Sequence, residues 1–287
     1  MKPTQSQVNA LCQSLQTRYD DAKLKILSAE AKVFADYLNR LSGFKIVASP
    51  LLSRHQHVGR VIVDGVLQVG SGYEKQVRGV VNYIAGVSQA ATVSGFIDFV
   101  RQHQKQRKPQ FKVKNRETEL LRVAEFFAGK GIETFHELYK WLEPESHRDS
   151  ILTKTSGLQG IVFSIGDKTA DYFRVLVGHW DAVAVDRGIR GLLKDALKDA
   201  VVSSKHDYKE LRSIVQLTAV SHFYCRPLDL DKSIYSYYVS NKSGANKLPQ
   251  GTGITALASG TFKYCIYCGV RMPHVASYCP KCGKPQL

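Results

Sequence analysis

Apolar residues recur every three or four positions through most of the first 240 residues, while no stretch finds a convincing strand partner. Val8, Leu11, Leu15 and Tyr19, then Ile26, Val33, Leu38 and Leu41, approximate helical spacing, so residues 5–41 are expected to be helical in one or two pieces. Ser42-Gly43 and Pro50 punctuate the end of that segment. Val61–Val69 is rich in β-branched residues and by propensity alone suits a buried strand. A lone strand is unstable, so this run too is expected to be helix. Tyr73–Ala85, Val93–Gln104, Glu117–Phe127, Glu133–Trp141 and Arg148–Gln159 continue the pattern. Thr169–Val177 sets Ala170, Phe173, Leu176 and Val177 on one face, and Ile189, Leu192, Leu193, Ala196 and Leu197 do the same after Asp186. Tyr208–Phe223 and Ser233–Val239 complete an all-α domain over 1–240, with Asp231 expected to cap the last helix. Ser, Gly, Asn, Pro and Ala then dominate a linker over 241–259, and 260–287 form a separate module.

The chain has 287 residues, enough for one large core or two modest ones, and 44% of them are hydrophobic, too many for a disordered chain. Forty Lys and Arg against twenty-five Asp and Glu give a net charge of +15, which favours polyanionic partners, nucleic acid above all. The excess is uneven. Residues 101–116 carry seven Lys or Arg and no acid, and seven more follow Asp231 with no acid to the end. Lys105, Arg107 and Lys108 in the first run suit either a solvated loop or contact with phosphates. No stretch reaches the roughly 18 apolar residues of a membrane span. The N-terminal Met-Lys-Pro-Thr-Gln-Ser-Gln lacks the apolar core of a signal peptide, so an intracellular protein is expected, its cysteines thiols or metal ligands.

Cys265-x2-Cys268 and Cys279-x2-Cys282 lie ten residues apart, each pair followed by a glycine (Gly269, Gly283) that permits a tight knuckle. Four thiolates at this spacing suit one tetrahedral structural zinc ion. A module of this size is too small to fold on apolar burial alone, so metal binding would supply its folding energy. The pattern resembles zinc ribbons. Cys12 and Cys225 are expected to be ordinary helix-face residues.

Gly166-Asp167-Lys168-Thr169-Ala170 is a turn feeding a helix, and Ala184-Val185-Asp186 is an apolar run ending in a carboxylate eighteen positions beyond Lys168 (186 − 168). This order and spacing resemble the helix-hairpin-helix DNA glycosylases of the endonuclease III type, over residues 148–200. The resemblance implies a lysine that attacks the sugar of a flipped nucleotide, Lys168, and an assisting aspartate, Asp186. It also implies a phosphate held by backbone amides of the turn and helix start, around Gly166 and Thr169. The family usually has proline and a first glycine where this chain has Phe163 and Ser164. In the segment from Asp64 to Lys75, Gln68 resembles the residue that fills the gap left by the flipped base, and Tyr73 is placed to stack on that base. The same residues admit plainer roles: Asp186 stands where a helix cap belongs, Lys168 at a helix start can be simply exposed, Gln68 can cap a turn and Tyr73 can be core.

Chemically the pair makes sense. Cleaving a glycosidic bond builds positive charge on the sugar, which a carboxylate stabilises, and a deprotonated lysine can attack the sugar carbon to form a Schiff base. The expected function is therefore a DNA glycosylase that excises a damaged or modified base, with abasic-site lyase activity through Lys168. Its partner would be double-stranded DNA, and it would work as a cytoplasmic, nucleoid-associated monomer. Two alternatives stand beside it: a glycosylase-fold enzyme that modifies thymine-derived bases, as pyrophosphorylase-like phage proteins do, and a non-catalytic DNA-binding module.

Overall fold

The structure, a computed structural model, describes residues 2–48, 57–68, 77–106, 111, 113, 116–153, 156–159, 162, 165–197, 206–242, 262–264 and 271–273. Among these residues the chain is all-α, apart from two short strands. In chain order the helices are α1 (Gln5–Arg18), α2 (Asp21–Arg40), α3 (Val58–Leu67), α4 (Arg78–Ala85), α5 (Val93–Gln106) and α6 (Glu117–Gly129). They continue with α7 (Phe135–Trp141), α8 (Glu145–Ile151), α9 (Asp167–Val177), α10 (Arg187–Leu197), α11 (Tyr208–Thr218) and α12 (Pro227–Lys242). No helix among the described residues is long and apolar enough to cross a membrane. Tyr73, Arg107, Lys108, Phe163, Ser164, linker residues 243–259 and all four knuckle cysteines lie outside the described residues.

The chain divides into two compact units, one of Met1–Ser49 with Val185–Leu287 and the other of Pro50–Ala184. In the first unit α2 packs on α10 and α11, and α12 packs on α10 and α11 in turn. Leu24, Leu27, Phe34 and Leu38 of α2 and Ile214 and Leu217 of α11, two helices that pack on each other, are all almost fully buried. Each such side chain stabilises the unit by about 1.5–3 kcal/mol. A charged seam runs beside this core. His206 lies 2.8 Å from both Glu30 and Glu210, and Lys23 pairs with Glu210 at 2.6 Å. Burial raises the carboxyl of Glu30 above its ordinary value, against the pull of His206.

Local chemistry explains where helices start. Thr4 and Gln7 form a reciprocal capping box at α1, Asp20 caps α2 by accepting from the Lys23 amide at 2.7 Å, and Thr134 with Glu137 repeats the box at α7. Among the described residues, three boundaries differ most from the expected ones. The helix expected over Arg148–Gln159 spans Glu145–Ile151 instead, because the chain folds back at Gly157. A Cβ there would lie 2.4 Å from the Ser150 carbonyl oxygen, so only glycine lets the return strand of chain close on the helix end. The helix expected over Tyr208–Phe223 stops at Thr218, and a π-helical turn at Ala219–Phe223 leads into Tyr224, whose φ is +52°. Finally, α12 begins at Pro227, where a missing N–H costs nothing, so Asp231 lies inside the helix and does not cap it.

The second unit has its own core. Phe96, Phe99, Phe127 and Phe173 are fully buried together with the β-branched face of α3, and Phe127 meets Phe173 edge to face at 5.6 Å. The run from Val61, which β propensity alone would make a strand, is helical through Leu67 because burial on several sides suits it equally well as a core helix. Strands β1 (Phe262–Tyr264) and β2 (Arg271–Pro273) pair antiparallel, with Lys263 opposite Met272. Cys265 and Cys268 lie in sequence between those two strands.

Candidate active site

Lys168 is the second residue of α9, and the sequence fixes that helix firmly. Gly166 takes the N-cap position in extended backbone with no side chain to cap the first turn. Gly178, at φ +89°, ends the helix in the left-handed conformation that glycine adopts without strain. Between them, helical geometry separates successive residues by about 100°. Residues 167 and 171 therefore share one side, and 168 and 172 share the neighbouring side.

The first side is gripped by Arg148 of α8, which is fully buried at 0% exposure. Its Nε donates to Asp171 Oδ1 at 3.2 Å, and its Nη2 donates to Asp171 Oδ2 at 3.1 Å and to Asp167 Oδ1 at 2.7 Å. Its Nη1 donates to Asp149 Oδ1 at 2.7 Å. Asp171 is itself 1% exposed, so the forked guanidinium is what makes a buried carboxylate tolerable there.

The second side faces α3. Lys168 Nζ donates to Gln68 Oε1 at 3.0 Å, and the Tyr172 hydroxyl donates to Asp64 Oδ1 at 3.2 Å. These are two rungs, since Gln68, the C-cap of α3, lies one turn beyond Asp64 as Tyr172 lies one turn beyond Lys168 on α9. The Lys168 ammonium also lies 5.9 Å from the centre of the Tyr172 ring. Asp64 is buried, while Gln68, Lys168 and Tyr172 are half-buried. The helices approach closely because of Gly65: a Cβ at that position would sit 2.4 Å from Phe173 Cε1.

Beyond the far end of α9, where Arg174 pairs with Asp181 at 3.0 Å, stands a buried histidine. His179 Nε2 donates to the Tyr139 carbonyl at 2.9 Å, and the two rings stack at 4.4 Å. Burial, helped by the nearby Arg174 charge and opposed by Asp181, lowers its pKa to about 4.

Asp186 belongs to the other unit, immediately before α10. Its Oδ1 accepts from the Ile189 amide at 2.9 Å, so one carboxylate oxygen caps the helix. Gly188 keeps space beside that oxygen, since a Cβ there would come within 3.2 Å of it. The preceding residue, Val185, donates its amide to the Tyr208 hydroxyl at 3.1 Å, which pins the approach to the helix.

Of the residues singled out by sequence, the structure thus brings Lys168 and Gln68 together and sets Asp186 at a helix cap. Gly166 is the N-cap of the Lys168 helix, Thr169 is 3% exposed beside it, and Lys105 is exposed in the last turn of α5. Asp64, Arg148 and Tyr172 were not singled out. The spacing of four positions from Asp64 to Gln68 and from Lys168 to Tyr172 is the signal that pairs them, once the two helices are known to be neighbours. Searches against protein-family models, curated proteins and solved structures find no match for this chain.

Proposed function

We propose that the protein is a DNA glycosylase in which Lys168 is the nucleophile and Asp186 the carboxylate that stabilises positive charge on the sugar. The observation that carries it is the Lys168 amine itself, half-buried at the head of α9 and held by Gln68 at 3.0 Å. An amine that merely solubilises a helix start would extend into water; this one is held by a side-chain amide and lies near the edge of range of an aromatic ring, that of Tyr172, at 5.9 Å. Deprotonated, it would attack the anomeric carbon of a flipped nucleotide. The glycosidic bond breaks, and the base leaves with the electron pair and takes up one proton of the amine. As the sugar ring opens, its oxygen keeps the electron pair of the broken C–O bond and takes up the amine's second proton, which leaves a Schiff base.

Three further features support the reading. Gly166 leaves the first turn of α9 without a side-chain cap, which suits backbone amides to a phosphate. Lys105 is exposed within a run of residues 101–116 that holds no acid, as a phosphate-facing segment requires. The net charge of +15 suits duplex DNA as partner. The helix-hairpin-helix assignment and the ribbon belong to the same proposal: Cys265, Cys268, Cys279 and Cys282 would hold one structural Zn²⁺, with the β1–β2 pair bracketing the first knuckle in sequence.

The cap bond from Asp186 to Ile189 favours a rival in which the chain binds DNA without chemistry. The two separate on one experiment. Duplexes carrying a panel of damaged and modified bases are incubated with the protein, and released bases are identified by mass spectrometry. Release that disappears in Asp186→Asn while duplex affinity is kept is the expected result. Binding without release from any duplex returns the chain to a DNA-binding module, and release that is undiminished in Asp186→Asn removes that residue from the mechanism. Conversion of a thymine-derived base without its release would mark a base-modifying enzyme instead.

A further inference from the structure

The geometry points to Tyr172 as a positioning residue for the Lys168 amine, tied down for that task by the buried carboxylate of Asp64. This deepens the glycosylase proposal and rests on it for the covalent step, though the positioning itself concerns only atoms of this chain.

A lysine carries its amine on four rotatable carbons, so its reactive atom has no fixed address unless its neighbours supply one. At Lys168, Gln68 and Tyr172 contribute to one. Gln68 Oε1 fixes one N–H direction at 3.0 Å, and the Tyr172 ring lies 5.9 Å away from Nζ, inside the range over which a cation is drawn to an aromatic centre. A single hydrogen bond, such as that to Gln68, permits swing about its own axis. The ring closes off that swing from a second direction, and it comes from the same helix, one turn on.

A ring can serve as a seat only if it does not move. The Tyr172 hydroxyl donates to Asp64 at 3.2 Å, and Asp64 is 2% exposed on α3, a helix whose apolar face lies in the core. The tie runs from an element that cannot shift without opening the core. Gly65, next to Asp64, brings α3 and α9 close enough for it. Phenylalanine at 172 would keep the ring and lose the tie; leucine would lose both.

The test uses the full chain with Tyr172→Phe and Tyr172→Leu, read in two ways. The first is the single-turnover rate of borohydride trapping on a duplex with one abasic site, alongside the dissociation constant for that duplex. Loss of a seat is expected to slow trapping about threefold in Tyr172→Phe and tenfold or more, on the order expected for a misplaced nucleophile, in Tyr172→Leu, with affinity unchanged. The second needs no DNA: reductive methylation with formaldehyde and cyanoborohydride, following the Lys168 peptide relative to the Lys105 peptide by mass spectrometry. Here the order reverses, and Lys168 is expected to react faster in Tyr172→Leu than in the parent as the amine comes loose. Slower trapping with faster methylation is the signature of a lost seat. Equal trapping in all three proteins, or Tyr172→Phe falling as far as Tyr172→Leu, overturns the assignment. If the parent protein traps no DNA at all, the glycosylase proposal fails instead, and methylation alone decides: unchanged Lys168 reactivity in Tyr172→Leu overturns the seat, and faster reaction upholds it. Far-UV circular dichroism checks the fold, and should Tyr172→Leu lose helicity, Tyr172→Phe carries the same comparison.

Discussion

Arg148 is the residue on which the head of α9 depends. It is 0% exposed and faces three aspartates, one of them equally buried. Removing it takes away the guanidinium that faces the buried Asp171 carboxylate, so Arg148→Ala is expected to destabilise the Pro50–Ala184 unit by about 3–5 kcal/mol in urea unfolding. A loss below 1 kcal/mol would mean the aspartates find other partners. His179 makes the opposite kind of statement at the far end of the helix. Its folded pKa of about 4 lies below the ordinary value of 6.5. The unfolded chain therefore binds the proton more readily, and stability is complete above pH 6.5 and declines as pH falls toward 4. Between pH 7 and about pH 4.5 this residue should contribute a loss on the order of 2 kcal/mol, absent in His179→Gln. A pH dependence that is the same in the variant would assign the acid sensitivity elsewhere.

At the scale of elements, the site is the contact of α3 with α9. Gly65 sets their distance, and Gly65→Ala would drive a methyl group to 2.4 Å from the Phe173 ring. The helices must part, which is expected to cost about 1–3 kcal/mol and to slow trapping at Lys168, because the Gln68 rung lengthens. Normal stability and trapping would show that the ring simply gives way. The helices themselves were legible in the sequence, since a 3.6-residue period survives wherever one face is buried, and even the β-branched α3 yielded to the absence of a strand partner. Boundaries were less legible. Gly157 ends α8 through contacts with carbonyls of α8 itself and of Thr153, and the turn after Thr218 leaves the α-helical ladder with no proline or glycine to announce it. The Lys168 rungs were legible only in part. Lys168 and Gln68 stand out as residues, yet they are a hundred positions apart, and local spacing says nothing about which helix faces which.

For the molecule as a whole, the chain builds one compact unit from its two ends and the other from its middle, so Lys168 and Asp186 belong to different units despite being close in sequence. That division follows from long-range packing, which no periodicity reports. The cysteine pairs are the contrary case, because metal-ligand spacing is written directly in the chain. The purified protein is expected to hold about one zinc per chain, and Cys279→Ser should lose it while the helical signal persists. Stoichiometric iron and sulfide, with visible absorbance, would replace zinc by an iron–sulfur cluster. The central claim remains the reactive amine, and one measurement meets it directly. The protein is incubated with a duplex bearing an abasic site, reduced with borohydride, digested and mapped by mass spectrometry. A covalent DNA adduct on Lys168, lost in Lys168→Gln with duplex affinity intact, is the predicted result; no adduct, or an adduct that survives Lys168→Gln, would contradict it.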